Sequence, residues 1–240
     1  MRPLVAVRRA VPFDPHFLSR DARLWPLSRA ARALDGYDDF PPIDALANVF
    51  EGRPPVRFVP AAPRRRRQRR TPVDASALYD ARITLDGAVP TRPGSWHDLM
   101  NALVWGAFPR AKRALHARQY RAVNERLEPG ARRLPATRTS ELDALALLDE
   151  GGVVVLAHRF DRMDALVVFG HAIYESLVLG VAPAVVAGIA LTIDDREPNV
   201  VRAVDEALAG TIEDETMLRS PSELARLPIP AAATNRTARA

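Results

Sequence analysis

Residues 95–112 read Ser95-Trp96-His97-Asp98-Leu99-Met100-Asn101-Ala102-Leu103-Val104-Trp105-Gly106-Ala107-Phe108-Pro109-Arg110-Ala111-Lys112. Ser95 has the chemistry of a helix N-cap, with an acid three positions on. Leu99, Met100, Ala102, Leu103, Val104 and Trp105 then cover nearly every direction around a helix. A helix that is apolar almost all round is a buried one. Pro109 starts a second, more polar helix that runs to about Glu128. On the first helix His97, Asp98 and Asn101 fall within one turn. A compact polar cluster is therefore expected at a buried place, where its members must find partners. Part of that cluster has a structural explanation, because Ser95 and Asp98 have the form of a capping box.

Outward from this core, Asp74 to Leu85 reads as a helix broken by Gly87 and Pro90. Upstream, Ile43, Leu46, Val49 and Phe50 describe a short amphipathic helix started by Pro41-Pro42. Downstream, Ser140 to Asp143 has the form of a capping box, and Gly151-Gly152 stops the helix it opens. Val153 to Leu156 is a β-branched strand. Asp161 to Asp164 is expected to start a helix carrying Phe169, His171, Ile173, Tyr174 and Glu175. Ser176 to Ile193 is 18 residues long without a charge. Gly180, Pro183 and Gly188 interrupt it, so it reads as a helix end followed by a buried strand, not a membrane span. A last helix follows Pro198, with Val200, Val201, Val204 and Leu208 inward. The order predicts an α+β fold, a mainly helical single domain with a small sheet of few strands. It spans residues 1–228, with an Arg/Pro-rich loop at 60–72 and a flexible tail at 229–240.

Composition narrows the chemistry. The 240 residues are 48% hydrophobic, enough for a sizeable core. With no cysteine, disulfides, thiolate metal sites and a cysteine nucleophile are excluded. A reducing, cytoplasmic location is expected. Of 34 basic residues only Lys112 is lysine, which leaves two readings open: the chance survivor of a composition biased toward arginine, or a task that a guanidinium cannot perform. Arg64, Arg65, Arg66, Arg67, Arg69 and Arg70 carry six of the charges, and without them the net charge of +5 falls to −1. This run could neutralise phosphates and give weak, non-specific nucleic-acid contact, but nothing beside it reads bases. A Walker loop, G-x-G-x-x-G and G-x-S-x-G are all missing.

The central stretch resembles the signature W-H-D-x-x-N-A-L-x-W-x-x-F-P-x-x-K of a bacterial family catalogued only as a domain of unknown function. Phe40-Pro41 with Leu46 and Asn48, Asp143-Ala144-Leu145 with Asp149-Glu150, and Gly170-His171-Ala172 with Glu175 are similar to further segments of that family. The resemblance covers residues 12 to 228 and implies no activity. The arginine run looks like an insertion private to this chain.

His171 and Glu175 are spaced i, i+4, so both side chains leave one helix face. That spacing suits a histidine oriented by a carboxylate, or two ligands of one metal. The apolar sides of the two helices are expected to bury against each other. That would bring His97, Asp98, Asn101, His171 and Glu175 together as candidate catalytic residues. His97, His171 and Glu175 could hold a divalent metal such as zinc, manganese or iron. Asp149 and Glu150 read as a solvent-facing helix end, and His116 and His158 as structural or surface residues. Three functions stay open: an enzyme, in the first place a hydrolase; a binder of nucleic acid or an acidic partner through the arginine run; and a non-catalytic interaction protein.

Overall fold

The computed structural model describes residues 11–62, 74–128, 130–131, 137–156, 165–194 and 197–226. The Arg64–Arg70 run, His158, Asp161–Asp164 and the 229–240 tail lie outside the described residues. Helix α1 (Ser28–Ala31) follows two short 3-10 turns and runs into a third (Arg32–Leu34), and a fourth 3-10 segment covers Ile43–Val49, where the apolar spacing predicts a helix. Strand β1 (Arg57–Pro60), helix α2 (Tyr79–Asp86) and strand β2 (Ala88–Thr91) come next. Then follow α3 (Trp96–Ala107), α4 (Pro109–Asn124), α5 (Ser140–Gly151), β3 (Gly152–Leu156), β4 (Leu166–Val168) and α6 (His171–Val178). The described chain closes with β5 (Ala187–Leu191), α7 (Val200–Glu213) and β6 (Ala225–Arg226). The fold is mainly helical α+β.

Helix α3 is the core. Trp96, Leu99, Met100, Asn101, Ala102, Leu103, Val104 and Trp105 are all buried. One apolar cluster links them to residues from Phe13 to Leu224. Gly106 has a packing reason: a Cβ there would meet the Val49 carbonyl oxygen at 2.6 Å and Ala30 Cβ at 2.8 Å. The chain turns at Phe108 and restarts with Pro109 in the first turn of α4. That start is capped from α7, where the two Asp205 carboxylate oxygens accept the N–H groups of Arg110 (3.2 Å) and Ala111 (2.8 Å). These are donors that the helix itself leaves without partners.

The strands depart most from expectation. Two late strands are expected, but the larger sheet has the order β4-β3-β5-β6, and β1 and β2 form a separate parallel pair. Pro60 and Pro90 sit inside that pair. Proline marks a segment as non-strand by its local preference, yet a two-stranded sheet has only edges, where proline is tolerated. The helix expected after Asp161 is also corrected. Leu166–Val168 pairs antiparallel with β3, and α6 begins only at His171. Thr139, not Ser140, caps α5, accepting the Leu142 N–H at 3.0 Å. In the uncharged stretch, α6 ends at Val178, Gly180 takes φ +67°, and β5 runs parallel to β3. Among the described residues no helix is long and apolar enough to cross a membrane.

Candidate functional site

Helices α3 and α6 pack against each other, and their polar turns meet. His97 lies in the first turn of α3 and His171 opens α6. Their ring centroids are 4.5 Å apart. The two Nε2 atoms face each other at 3.1 Å. Each ring is held from its other side. His97 Nδ1–H donates to Glu175 Oε2 at 3.0 Å, and His171 Nδ1–H donates to the Asp149 carbonyl oxygen at 2.8 Å.

Gly170, immediately before His171, makes this approach possible. A Cβ on it would stand 2.4 Å from the Gly152 nitrogen and 2.5 Å from the Glu150 carbonyl oxygen. The end of α5 is thus in backbone contact with the start of α6. This is the physical content of the Gly170-His171 pair in the sequence.

The same junction corrects the reading of Asp149 as solvent-facing, whereas Glu150 does keep its solvent-facing side. The Asp149 carboxylate is mostly covered and takes an ion pair from Lys112 Nζ at 2.5 Å. Glu150 Oε2 lies 3.5 Å from His171 Nε2. His97, Glu150 and His171 form a group in which one ligand atom from each lies within 4.8 Å of the others. Glu150 therefore stands where Glu175 was expected, because Glu175 is turned to the Nδ1 side of His97. The local signal for Asp149 and Glu150 was only their place before a glycine pair, and helix termini are usually solvated.

Two expected members stand apart. The Asp98 carboxylate turns to Arg92, accepting its backbone N–H (2.5 Å), Nε–H (2.9 Å) and Nη2–H (2.8 Å). The Asp98 N–H does donate to Ser95 Oγ, at 3.3 Å, so only one half of the capping box is made. Asn101, one turn beyond His97, donates from Nδ2 to the Tyr79 hydroxyl at 3.3 Å. His116 is not isolated either. It is buried, donates from Nδ1 to Asp80 Oδ1 at 2.9 Å, and stacks on Trp105.

Electrostatics separates the two histidines. The bond to Glu175 raises His97, against the cost of its own burial. Burial pushes His171 down to about 4, and the Lys112 and His97 charges push the same way. Burial alone would raise Asp149, but Lys112, His171 and His116 outweigh it and hold the carboxylate well below the usual range. His171 is thus neutral at pH 7, and His97 is the ring more ready to carry a proton. Access is from one side: the side chains of His97 and Glu150 are 30% and 52% exposed, against 5% for His171.

No curated protein and no solved structure matches the chain. The span of residues 65–167, which holds His97, Lys112, Asp149 and Glu150 and stops just short of His171, matches a family described as a protein of unknown function. Over that span, less than half of its length, the chain is similar to the family DUF3025.

Proposed function

We propose that the protein is a metal-dependent enzyme of the hydrolase class, with a divalent cation held by His97 Nε2, His171 Nε2 and the Glu150 carboxylate. One observation carries this reading: two Nε2 atoms face each other at 3.1 Å while both Nδ1 atoms are committed as donors. A carbonyl oxygen only accepts, so His171 Nδ1 bears the hydrogen and its Nε2 is a lone pair. The carboxylate on His97 Nδ1 imposes the same tautomer on a neutral His97. Two facing lone pairs repel unless a positive charge lies between them. That charge is either a proton on His97 or a metal ion.

Histidine ligands of metals characteristically donate their second nitrogen to a carboxylate or a backbone carbonyl. Both kinds of acceptor are present. Two nitrogens and one carboxylate oxygen suit zinc, manganese or iron. Three protein ligands beside an exposed edge match a catalytic site with an open position, not a closed structural one. A cation there would supply an activated water at neutral pH. Glu175 would fix the His97 ring, and the Asp149 carbonyl the His171 ring. The Arg64–Arg70 run supports only a subordinate reading, weak contact with nucleic acid or an acidic partner by charge alone.

The test starts from protein purified without metal-affinity resin. Elemental analysis is expected to find one transition metal per chain, and dialysed protein is expected to bind Co2+ with a visible d–d spectrum. His171→Ala and Glu150→Ala should each abolish that spectrum. Chelator-sensitive release of nitrophenol from a panel of nitrophenyl esters and phosphates tests the hydrolase class. Absence of both co-purified metal and Co2+ binding would overturn the metal centre. A loaded protein inert on the whole panel would overturn the hydrolase assignment.

A further inference from the structure

We propose that Lys112 is a positioning residue for this centre: its buried ion pair with Asp149 fixes the last turn of α5, whose Asp149 carbonyl orients His171 and whose next residue brings Glu150 to it. The inference rests on the metal reading for its purpose, though not for its geometry.

The Lys112 side chain is 1% exposed and reaches from the first turn of α4 to Asp149 Oδ1 at 2.5 Å. A buried ion pair is weak evidence of a stability role, because desolvation offsets most of the attraction. An apolar pair at such a place is often as stable. What the charged pair adds is a defined position for the Asp149 carboxylate, and through it for the backbone that carries it. Asp149 uses both of its oxygen-bearing groups, the carboxylate for Lys112 and the carbonyl for His171 Nδ1–H. The carbonyl is one of those at the end of α5 without a partner inside the helix.

The carboxylate has a second place to go. Asp149 Oδ1 is only 3.8 Å from His171 Nδ1. Without the ammonium, that ring nitrogen is a donor within reach of the buried carboxylate. His171 would then trade its carbonyl for the carboxylate, the ring would swing, and Glu150 would move with the turn. Lys112 keeps the carboxylate away from the ring.

An ammonium suits this task where a guanidinium does not. Guanidinium is a planar fork with five donors, and an ammonium is a compact charge with three. The contrast exists within this chain. Arg118 is equally buried, and its fork is filled by Glu141 Oε1 and by the carbonyl oxygens of Ile212, Asp214 and Met217. Around Lys112 the partners are one carboxylate and the face of Trp105, 5.7 Å from Nζ. Among the described residues no carbonyl oxygen accepts a hydrogen bond from Lys112 Nζ. Thirty-three of 34 basic positions carry arginine, and the one that does not is this one.

The experiment uses the full chain with Lys112→Met and Asp149→Asn combined, which removes the pair and leaves no buried charge. Metal-free protein is read by long-range 1H–15N correlation of the histidine rings, and Co2+ is the metal probe. Wild-type His171 should report one Nδ1–H tautomer, and the double variant a mixture of tautomers. Co2+ affinity should fall about 10- to 100-fold, the usual loss when a partner behind a ligand is removed, with a shifted d–d spectrum. A folded double variant with the wild-type tautomer and wild-type Co2+ affinity overturns the proposal. Lys112→Arg keeps the charge and reports the same signals, so the question stays decidable if the double variant does not fold. An unchanged tautomer and affinity in Lys112→Arg would overturn the argument from compactness. If wild type binds no Co2+, the metal reading fails by itself, and the His171 tautomer alone decides the role of Lys112.

Discussion

Gly170→Ala tests the junction on which the whole site depends. The added methyl would stand 2.4 Å from the Gly152 nitrogen, 2.5 Å from the Glu150 oxygen and 2.7 Å from the Glu150 carbon. All three are backbone atoms, which cannot rotate away. Ordinary contact begins at 3.4 Å, so the α5–β3 junction and the start of α6 must part by about 1 Å. Overpacking of this kind costs about 1–3 kcal/mol. The shift also strains three bonds: the Phe169 and Gly170 N–H groups to the Gly152 oxygen, both at 2.9 Å, and His171 to Asp149. Each is worth about 1 kcal/mol when intact. The stiffer unfolded chain returns about 0.4–1 kcal/mol. The net expectation is a loss of about 2–3 kcal/mol, or about 4–12 °C in Tm at this chain length. Gly210→Ala is the matched control. It lies inside α7 with nothing within 4 Å of the new methyl, and should stabilise by up to about 1 kcal/mol. Urea unfolding followed by tryptophan fluorescence reads both. A Gly170→Ala loss below about 0.5 kcal/mol would mean that α6 does not abut the end of α5, and the site geometry would fall with it.

Arg118→Met should cost about 3–5 kcal/mol and Arg118→Lys nearly as much, because neither can reach Glu141 and three carbonyls together; a Lys variant with the wild-type urea midpoint would refute this. Burial pushes Asp205 up to about 6, against the pull of its two N–H donors. The folded protein therefore keeps a proton that the unfolded chain releases near pH 4, and Asp205's own contribution to stability should fall by roughly 2–3 kcal/mol as pH rises from 4 to 6, opposing the rise that the depressed His171 contributes over the same range. Asp205→Asn should remove that contribution, so the variant's stability should gain on the wild type's by roughly 2–3 kcal/mol between pH 4 and 6, and an identical pH dependence in the two proteins would refute the assignment. Replacing Arg64–Arg70 by Gly and Ser should abolish any nucleic-acid binding, which in the parent should weaken with salt at a log–log slope of up to about −5; binding that survives, or that prefers a sequence, would contradict a purely electrostatic origin.

Local chemistry accounts for most of the helices, though not for the start of α6 or the 3-10 form of Ile43–Val49. Ser95 as a cap, the apolar stretch from Leu99 to Trp105 and Pro109 as a restart yield α3 and the start of α4, which ends at Asn124 and not near Glu128, since caps, periodicity and proline act within a few residues. The meeting of His97 with His171 was also legible, because two strongly apolar helices bury each other and carry their polar turns along. The strands β1, β2 and β4 were not legible. Strand preference depends on the partner that covers the strand, and short segments containing Pro60 or Pro90 have no such partner within reach of a local reading. The site was half visible for the same reason. Residues on one helix turn can be grouped by spacing, but only packing decides which neighbouring chain end faces them. Asp149 and Glu150 end a helix like many solvated acids. They join the histidines because Gly170 lets backbone meet backbone and Lys112 arrives from α4, 37 positions before Asp149. Asp98 looks equivalent to His97 by spacing and is claimed instead by Arg92. Spacing along a helix selects a face; the elements packed on that face, which are distant in sequence, select the partner.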